Sequence, residues 1–323
     1  MLRNRLEAPA PMPTHFVKSS PVARGFRLSM ARLLAVFGVL SLLGCGAASA
    51  QEAGKFGTSL ESEFHFGIVG ASNFKERADM GTVHADDWGT RDVVSMKVSE
   101  AFLIRFGMEW QRRDFSVPHF ASIPTKLQMS TLVVGADLQL GDAWIVRVEV
   151  QPGFYSGGTN LREKNFQAPV IVGASYFVSS DLQFVAGISI DPDRKYPVLP
   201  GIGFRYRCAT DWVLDFILPT PRIEYNFSKS LLLYVGGDFQ GETYRVDGDF
   251  GTARGVPKLN DAVVDYSQIR VGAGASWKIG SNLTLEMEAG FVPVQEFDFH
   301  RADVKTRATD TPPYGAVQLK AAF

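Results

Sequence analysis

The chain has 323 residues, a formal net charge of −1, 46% hydrophobic residues and 31 glycines. A charge this close to zero argues against nucleic-acid binding, which requires a strongly basic face. No apolar run of about 20 residues follows the N-terminal region, and this excludes a later transmembrane helix. The same observation leaves a membrane β-barrel possible, because barrel strands give only weak, alternating signals.

The beginning of the chain has the features of a targeting segment. Arg27 and Arg32 precede the apolar run 33–43, and Ala48-Ser49-Ala50 follows just before Gln51. A basic start, a short apolar core and an A-x-A site predict a secretory signal peptide. The core is too short to span a bilayer as a helix.

Two alternatives concern this segment. Translation from Met30 instead of Met1 would give a signal peptide of ordinary length. Leu42-Leu43-Gly44-Cys45 resembles a lipoprotein box in which Cys45 would be acylated, although leucine at its middle position is atypical. In either case we expect residues 1–50 to be an N-terminal extension with a signal peptide, and residues 51–323 to form one domain.

Beyond residue 51, apolar and polar residues alternate in one stretch after another, which predicts strands with one apolar and one polar face. The clearest pair is 268–279 and 283–292, joined by the turn Gly280-Ser281-Asn282 as an antiparallel hairpin. In chain order the predicted strands are 63–68, 94–98, 102–111, 132–140, 144–151, 168–178, 184–190, 201–207, 212–218, 221–228, 231–242, 268–279, 283–292 and 317–323.

The connections alternate between short turns and longer loops, as in bacterial outer-membrane barrels, which place short turns in the periplasm and long loops outside. Pieces 212–218 and 221–228, separated at Pro219 and Pro221, are each shorter than the roughly 9–11 residues of a tilted spanning strand. If neither piece spans, the count is 12; if the break is a hairpin, it is 14. We predict an all-β, antiparallel, up-and-down transmembrane β-barrel, with 12 strands favoured and 14 as the alternative.

A sheet in hydrocarbon cannot leave its edges unpaired, so it must close. The apolar face would then meet membrane lipid, with Trp110, Trp144, Trp212 and Trp277 near strand ends as interfacial girdles. Glycines on the polar face would leave room for long side chains in the lumen. The two signs of charge nearly cancel there, which favours a narrow or closed lumen over a selective pore. The lumen-lining candidates are Arg105, Glu109, Arg147, Glu149, Arg205, Asp215, Arg222, Glu224, Asp238, Glu242, Arg270, Glu286 and Glu288.

Two features resemble known barrels. Phe323, after alternating apolar residues, is similar to the C-terminal signal by which outer-membrane barrels are recognised for assembly. The pattern Trp212…Asp215…Leu218-Pro219, continuing through Pro221-Arg222-Ile223-Glu224-Tyr225 to Gly236, resembles an uncharacterised bacterial barrel family, a domain of unknown function. The resemblance covers most of the chain after the targeting segment. It implies an outer-membrane barrel handled by the barrel-assembly machinery, and it implies no activity.

Residues that could carry out chemistry are sparse. His84, Asp86 and Asp87 could suggest a metal site or an acid/base pair, but neighbouring ions in a polar loop are usually solvated. The motifs G-x-S-x-G and H-E-x-x-H do not occur. Asp215, Arg222 and Glu224 flank the proline break, and they predict either a structural ion-pair cluster or a constriction.

We therefore expect a protein of the cell outer membrane that is not an enzyme and uses no cofactor or metal. It would be a narrow passive channel or a structural surface protein, with no nucleic-acid partner. One alternative is a binding protein that acts through loops 72–90, 152–165 and 246–261. Another is an outer-membrane lipid hydrolase, because a serine–histidine pair on a barrel wall needs no proximity in sequence. The sequence identifies neither a solute nor a protein ligand.

Overall fold

The computed structural model describes residues 57–76, 79–118, 121–158 and 162–323. The expected targeting segment, residues 1–50, lies outside the described residues. Within the described part, no helix has the length and apolar character needed to cross a membrane.

The described chain forms one sheet of 17 strand segments. In chain order these are β1 (Thr58–Lys75), β2 (Asp79–Ser99), β3 (Phe102–Ser116), β4 (Lys126–Leu140), β5 (Trp144–Val150), β6 (Gly153–Ser156), β7 (Phe166–Gln167), β8 (Val170–Phe177), β9 (Leu182–Ile190), β10 (Val198–Arg207), β11 (Trp212–Asp215), β12 (Arg222–Asn226), β13 (Leu231–Arg245), β14 (Val263–Ile279), β15 (Leu283–Phe299), β16 (Val304–Ala308) and β17 (Pro313–Ala322).

The sheet closes into a barrel of 14 strands, because β5 continues as β6, β7 as β8 and β16 as β17. Closure is made by β17 and β1, which pair from Glu61↔Ala322 to Val69↔Tyr314. The predicted all-β barrel is confirmed, with the larger of the two expected counts. The proline break is a hairpin: β11 and β12 pair with each other, and β10 and β13 hold them in the ladder despite their short length.

The wall of the barrel is uneven in height. Short turns lie at one end, which we call the turn end, and the longer connections lie at the loop end. Strands β1–β4 and β13–β15 have 15 to 21 residues, whereas β11 and β12 have 4 and 5. We call β8–β12 the low wall. The prediction of a loop over 72–90 is wrong, because β1 continues to Lys75 and β2 begins at Asp79.

At the loop end the tall strands form a smaller closed ring. Arg245 of β13 pairs in parallel with Ser156 of β6, and β6 pairs with β4. When strand direction alternates around a closed ring with an odd number of strands, one neighbouring pair must be parallel. The pairing of Arg245 with Ser156 is that pair, and we call it the seam. The upper ring contains nine segments and leaves out the low wall: β1, β2, β3, β4, β6, β13, β14, β15 and β16.

Apolar side chains fill the upper ring. A barrel of about eight strands is just wide enough to be filled by side chains. Phe297 is fully buried, with ring centroids 5.0 Å from Phe115 and 5.9 Å from Phe74. The predicted loop 246–261 folds into the ring, where Leu259 is fully buried. The barrel axis is therefore blocked at the loop end by packed side chains.

The apolar face changes sides between the two parts of the barrel, as β3 shows. Near the turn end, the outward Phe106 and Met108 are 52% and 61% exposed. Towards the loop end, Arg112 and Asp114 take the outward positions and Phe115 is buried inside. This change is expected where a wall leaves lipid and enters water, because the interior then becomes the place for apolar side chains.

Aromatic pairs lie near the turn end, as predicted for an interfacial girdle. The ring of Trp144 lies 4.6 Å from that of Tyr176, and the ring of Trp212 lies 4.9 Å from that of Tyr225. A charged residue also faces outward: Asp92 pairs in register with Met108, and the Ser62 hydroxyl donates a hydrogen bond to its carboxylate.

Candidate functional site in the barrel lumen

Below the upper ring, the inward face of the 14 strands encloses a polar lumen. Glycines make room for large side chains there, as expected. A Cβ at Gly274 would lie 2.4 Å from the Tyr234 ring, and one at Gly272 would lie 2.6 Å from the Tyr314 hydroxyl. Both phenols therefore occupy the space beside a glycine and donate to Glu288, that of Tyr234 at 2.9 Å.

Ion pairs cover the wall formed by β2–β5. Arg91 forms ion pairs with Glu109 and, at 2.9 Å, with Glu149. Arg147 makes a two-pronged contact with Asp137, with both distances at 2.7 Å. On β3, Arg105 lies 3.4 Å from Glu61 of β1. Paired guanidinium and carboxylate groups of this kind fix one another in place.

The residues beside the proline break belong to two separate clusters. Arg205 of β10 forms ion pairs with Asp215 and, at 2.8 Å, with Glu224. Arg222 points the other way: its guanidinium lies 4.1 Å from the Tyr234 ring centre and within 3.8 and 3.9 Å of Glu286 and Glu288. The side chain of Arg222 therefore reaches past β13 and β14 towards β15.

A buried network crosses the interior where the lumen meets the upper ring. Asp87 of β2 lies 3.0 Å from Arg270 of β14, although these strands are not neighbours. Arg113, 2% exposed, lies 3.7 Å from Asp87 and donates to Glu242 of β13 at 2.7 Å. His65 approaches the same Asp87 carboxylate at 3.4 Å. These contacts join opposite walls and form a polar floor beneath the apolar core.

A chamber of about 230 Å³ lies next to this network. Asp87, Arg270 and Asp238 line it, and Gln240 donates to Asp238 at 2.6 Å. Thr220, from the turn between β11 and β12, also lines it. The chamber thus extends from the middle of the lumen to the loop-end rim of the low wall.

Carboxylates and cations are nearly equal in number on the inward face of the described strands. The inward carboxylates are Glu61, Glu63, Asp87, Glu109, Asp137, Glu149, Asp215, Glu224, Asp238, Glu242, Glu286 and Glu288. The inward cations are Arg91, Lys97, Arg105, Arg113, Arg147, Arg205, Arg207, Arg222, Arg270, Lys278 and Lys320.

The structure gives contacts to all of the predicted lumen candidates, but it distributes them among the clusters above and does not form one site. The predicted lumen candidates did not include Asp87, which lay in the predicted loop 72–90, or Arg91, which lay just before the predicted strand 94–98. They also did not include Arg113, which lies beyond the predicted end of its strand. Val83 and Ala85 alternate with polar residues in that stretch and could have indicated a strand.

His84, Asp86 and Asp87 are not brought together. Neighbouring residues of a strand face opposite sides, so Asp87 is buried inside whereas His84 and Asp86 are both exposed outside. His84 and Ser116 are register partners on the exterior. Among the described residues, no hydrogen bond links a histidine to a serine, and no cluster of ligands suits a metal ion.

The barrel has an opening on the loop-end side of the low wall. The Phe239 N–H donates to the Pro219 carbonyl at 3.0 Å, and within the described ranges β6 pairs with β13 only at Arg245. Over residues 240–244, no strand within the described ranges pairs with this edge of β13. We call this opening the side window.

Side chains reinforce the seam above the window. Arg162 donates to the Val246 carbonyl at 2.9 Å and to Asp261 at 2.7 Å. Lys164 lies 2.5 Å from the same carboxylate. The hydrogen bond from Lys164, together with Arg162 and against a small opposing effect of burial, holds the pKa of Asp261 below its usual range. The predicted loop 152–165 is therefore tied to the segment 246–262.

A protein-family model described as "Domain of unknown function (DUF6268)" matches residues 108–323. No curated protein matches the chain. Similar solved structures include an outer membrane channel from Pseudomonas putida F1, with 12% identity, 85% of this chain and 98% of that chain covered, and a TM-score of 0.46. A FadL homologue from Pseudomonas aeruginosa has 9% identity, coverage of 84% and 90%, and a TM-score of 0.35. The KdgM porin has 10% identity, coverage of 81% and 99%, and a TM-score of 0.34. By the match over residues 108–323, the chain belongs to the DUF6268 family, a domain of unknown function.

Proposed function

We propose that the protein is a narrow passive channel of the outer membrane for small polar solutes. The turn end would lie in the periplasm and the loop end outside the cell. A solute would enter the lumen at the turn end, pass between the ion-paired walls, and reach the chamber at Thr220. It would leave through the side window above the low wall, since the upper ring is packed.

The observation that carries this proposal is the shape of the polar interior. It ends beneath a solid apolar core along the barrel axis, yet the chamber continues to the rim of the low wall at Thr220. Gln240 lines the chamber and lies at the edge of the side window. A path that bends sideways therefore crosses less packed protein than a path along the axis.

The outer-membrane location is supported by the exterior of the barrel. Exposed apolar residues cover the wall below the upper ring, and a closed sheet leaves no unpaired edge within it. Phe323 is 64% exposed, and its backbone pairs with Leu60 at 2.9 Å in both directions. We propose that this exposed terminal ring is read by the barrel-assembly machinery. The proposed signal peptide would bring the chain there.

Planar-bilayer recording of the purified full chain tests the channel directly. We expect small, stepwise currents, and we expect Thr220→Trp to reduce them, because the indole would fill the outer part of the chamber. Ser116→Trp is the matched control, since Ser116 is exposed on the outside of the upper ring. Absence of current from the folded wild-type protein, or equal currents from both tryptophan variants, would contradict the proposal.

The two other functions receive less support from the geometry. Of the three loops considered for binding, 72–90 is a strand pair and 246–261 is folded into the upper ring. For lipid hydrolysis, the exterior register pair His84 and Ser116 lacks a hydrogen bond within the described chain. We therefore propose no catalytic step.

A further inference from the structure

The loop between β9 and β10, residues 191–197, reaches across the side window. In barrel order, β11 and β12 lie between β10 and β13, and both are short. The loop passes over them to contact β14 and β15. We call residues 191–197 the strap. Its first residue, Asp191, is 2% exposed, whereas Tyr196 near its end is 65% exposed.

Polar contacts hold the strap against the upper ring. The Lys195 N–H donates to Asp265 at 2.8 Å, and the Lys195 ammonium donates to Asp298 at 2.7 Å. Asp193 accepts a hydrogen bond from Arg301 at 2.8 Å and lies 3.6 Å from Arg245. The contacts of Asp193 and Lys195 thus attach the middle of the strap to β13, β14, β15 and the turn that follows β15.

The strap covers a cleft of about 210 Å³ against the upper ring. Arg194 and Tyr196 line the strap side of the cleft, and Gly241 and Glu242 of β13 line the other side. The chamber in the lumen touches β13 at Gln240, the neighbouring residue in sequence. The cleft and the chamber therefore meet the same exposed edge of β13, one from outside and one from inside.

We propose that the strap is the gate of the channel, closing the side window while Lys195 and Asp193 are bound and opening it when they release. This inference rests on the proposed function. The side chains of Lys195 and Arg301 are 42% and 49% exposed, so water reaches these ion pairs and weakens them. The strap can therefore detach without disturbing the packed upper ring. A detached strap removes Arg194 from the cleft and joins the cleft to the chamber.

A charge swap tests the gate in single-channel recordings. Lys195→Glu places a carboxylate against Asp265 and Asp298, and we expect the ratio of open to closed time to rise at least about fivefold. Lys195→Glu combined with Asp298→Lys restores an ion pair of opposite polarity and returns the ratio towards wild type. Asp193→Asn, which weakens the contacts to Arg245 and Arg301, acts in the same direction as Lys195→Glu.

Lys229→Glu is the matched control, because this substitution makes the same charge change on an exposed turn at the turn end of the barrel. Hydrogen exchange of residues 191–197 reports release of the strap independently of current. Faster exchange without a change in open time overturns the gate while leaving the channel intact. A wild-type protein that never conducts refutes the channel itself, and the gate with it. A swap variant that behaves like Lys195→Glu also overturns the gate.

Discussion

The packing of the upper ring leads to a quantitative prediction for Phe297→Ala. Phe297 is fully buried and contacts the rings of Phe74, Phe115 and Tyr266, with centroids 5.9, 5.0 and 5.1 Å away. Removing a buried phenylalanine costs about 3–5 kcal/mol through lost transfer energy and the cavity that remains. We expect a loss near the middle of that range, because the rigid surrounding strands limit collapse into the cavity.

The assay is urea-induced unfolding of the barrel from lipid vesicles, followed by tryptophan fluorescence. The matched control is Phe106→Ala on β3, where the side chain is 52% exposed on the outside of the barrel. This change should cost less than about 2 kcal/mol, because lipid makes many of the contacts of that side chain. A loss for Phe297→Ala no larger than for Phe106→Ala would refute a packed upper ring.

Three further predictions concern the lumen and the seam. Arg270→Met leaves the Asp87 carboxylate buried with one fewer cation, so we expect a loss of about 3 kcal/mol in the same unfolding assay, whereas Arg147→Met at the more exposed pair should cost less than about 1 kcal/mol. Asp238 lines the chamber, so Asp238→Asn should shift the reversal potential in a potassium chloride gradient away from cations; an unchanged reversal potential would contradict a path through the chamber. Because the pKa of Asp261 is lowered, its contribution to the seam is complete above the usual carboxyl range and is lost as pH falls through the lowered value. Hydrogen exchange at Gly157, whose N–H donates to the Arg245 carbonyl at 2.9 Å, should therefore accelerate in strong acid, after correction for intrinsic rates, and in Asp261→Asn at neutral pH.

The part of the fold that follows from alternation was predictable. Strands such as 268–279 and 283–292 keep one face apolar along most of their length, and their hairpin has the expected turn. The short strands β11 and β12 were harder to predict, because their length argues against a spanning strand. Pairing with β10 and β13 holds them in place, and that pairing involves residues distant in sequence.

The upper ring could not be predicted from the same rule. Its strands continue the alternation but place the apolar residues inside, as Phe115 shows beside the outward Asp114. If every apolar face is assigned to lipid, the predicted strands therefore end where the apolar residues change from the outer to the inner face. The seam between Ser156 and Arg245 depends on a single parallel pair, which leaves no periodic signal.

Strand parity predicted that Glu149 and Arg270 face inward, but it did not predict their ion-pair partners. Asp87 lay in the predicted loop 72–90, and Arg91 lay just before the predicted strand 94–98. Contacts across a barrel depend on how strands curve around it, and alternation along one strand contains no such information. For this reason the chamber, the side window and the strap emerge only from the three-dimensional arrangement.

Modification of engineered cysteines during bilayer recording tests the sideways path most directly. In a chain with Cys45→Ser and Cys208→Ser, Thr220→Cys places a thiol at the rim of the chamber and Ile123→Cys places one in the fully buried core. A water-soluble thiol reagent added at the loop end should reduce the current through the Thr220→Cys variant irreversibly and leave that through Ile123→Cys unchanged. Block through Ile123→Cys, with Thr220→Cys unaffected, would show that solute crosses the upper ring and would contradict the account.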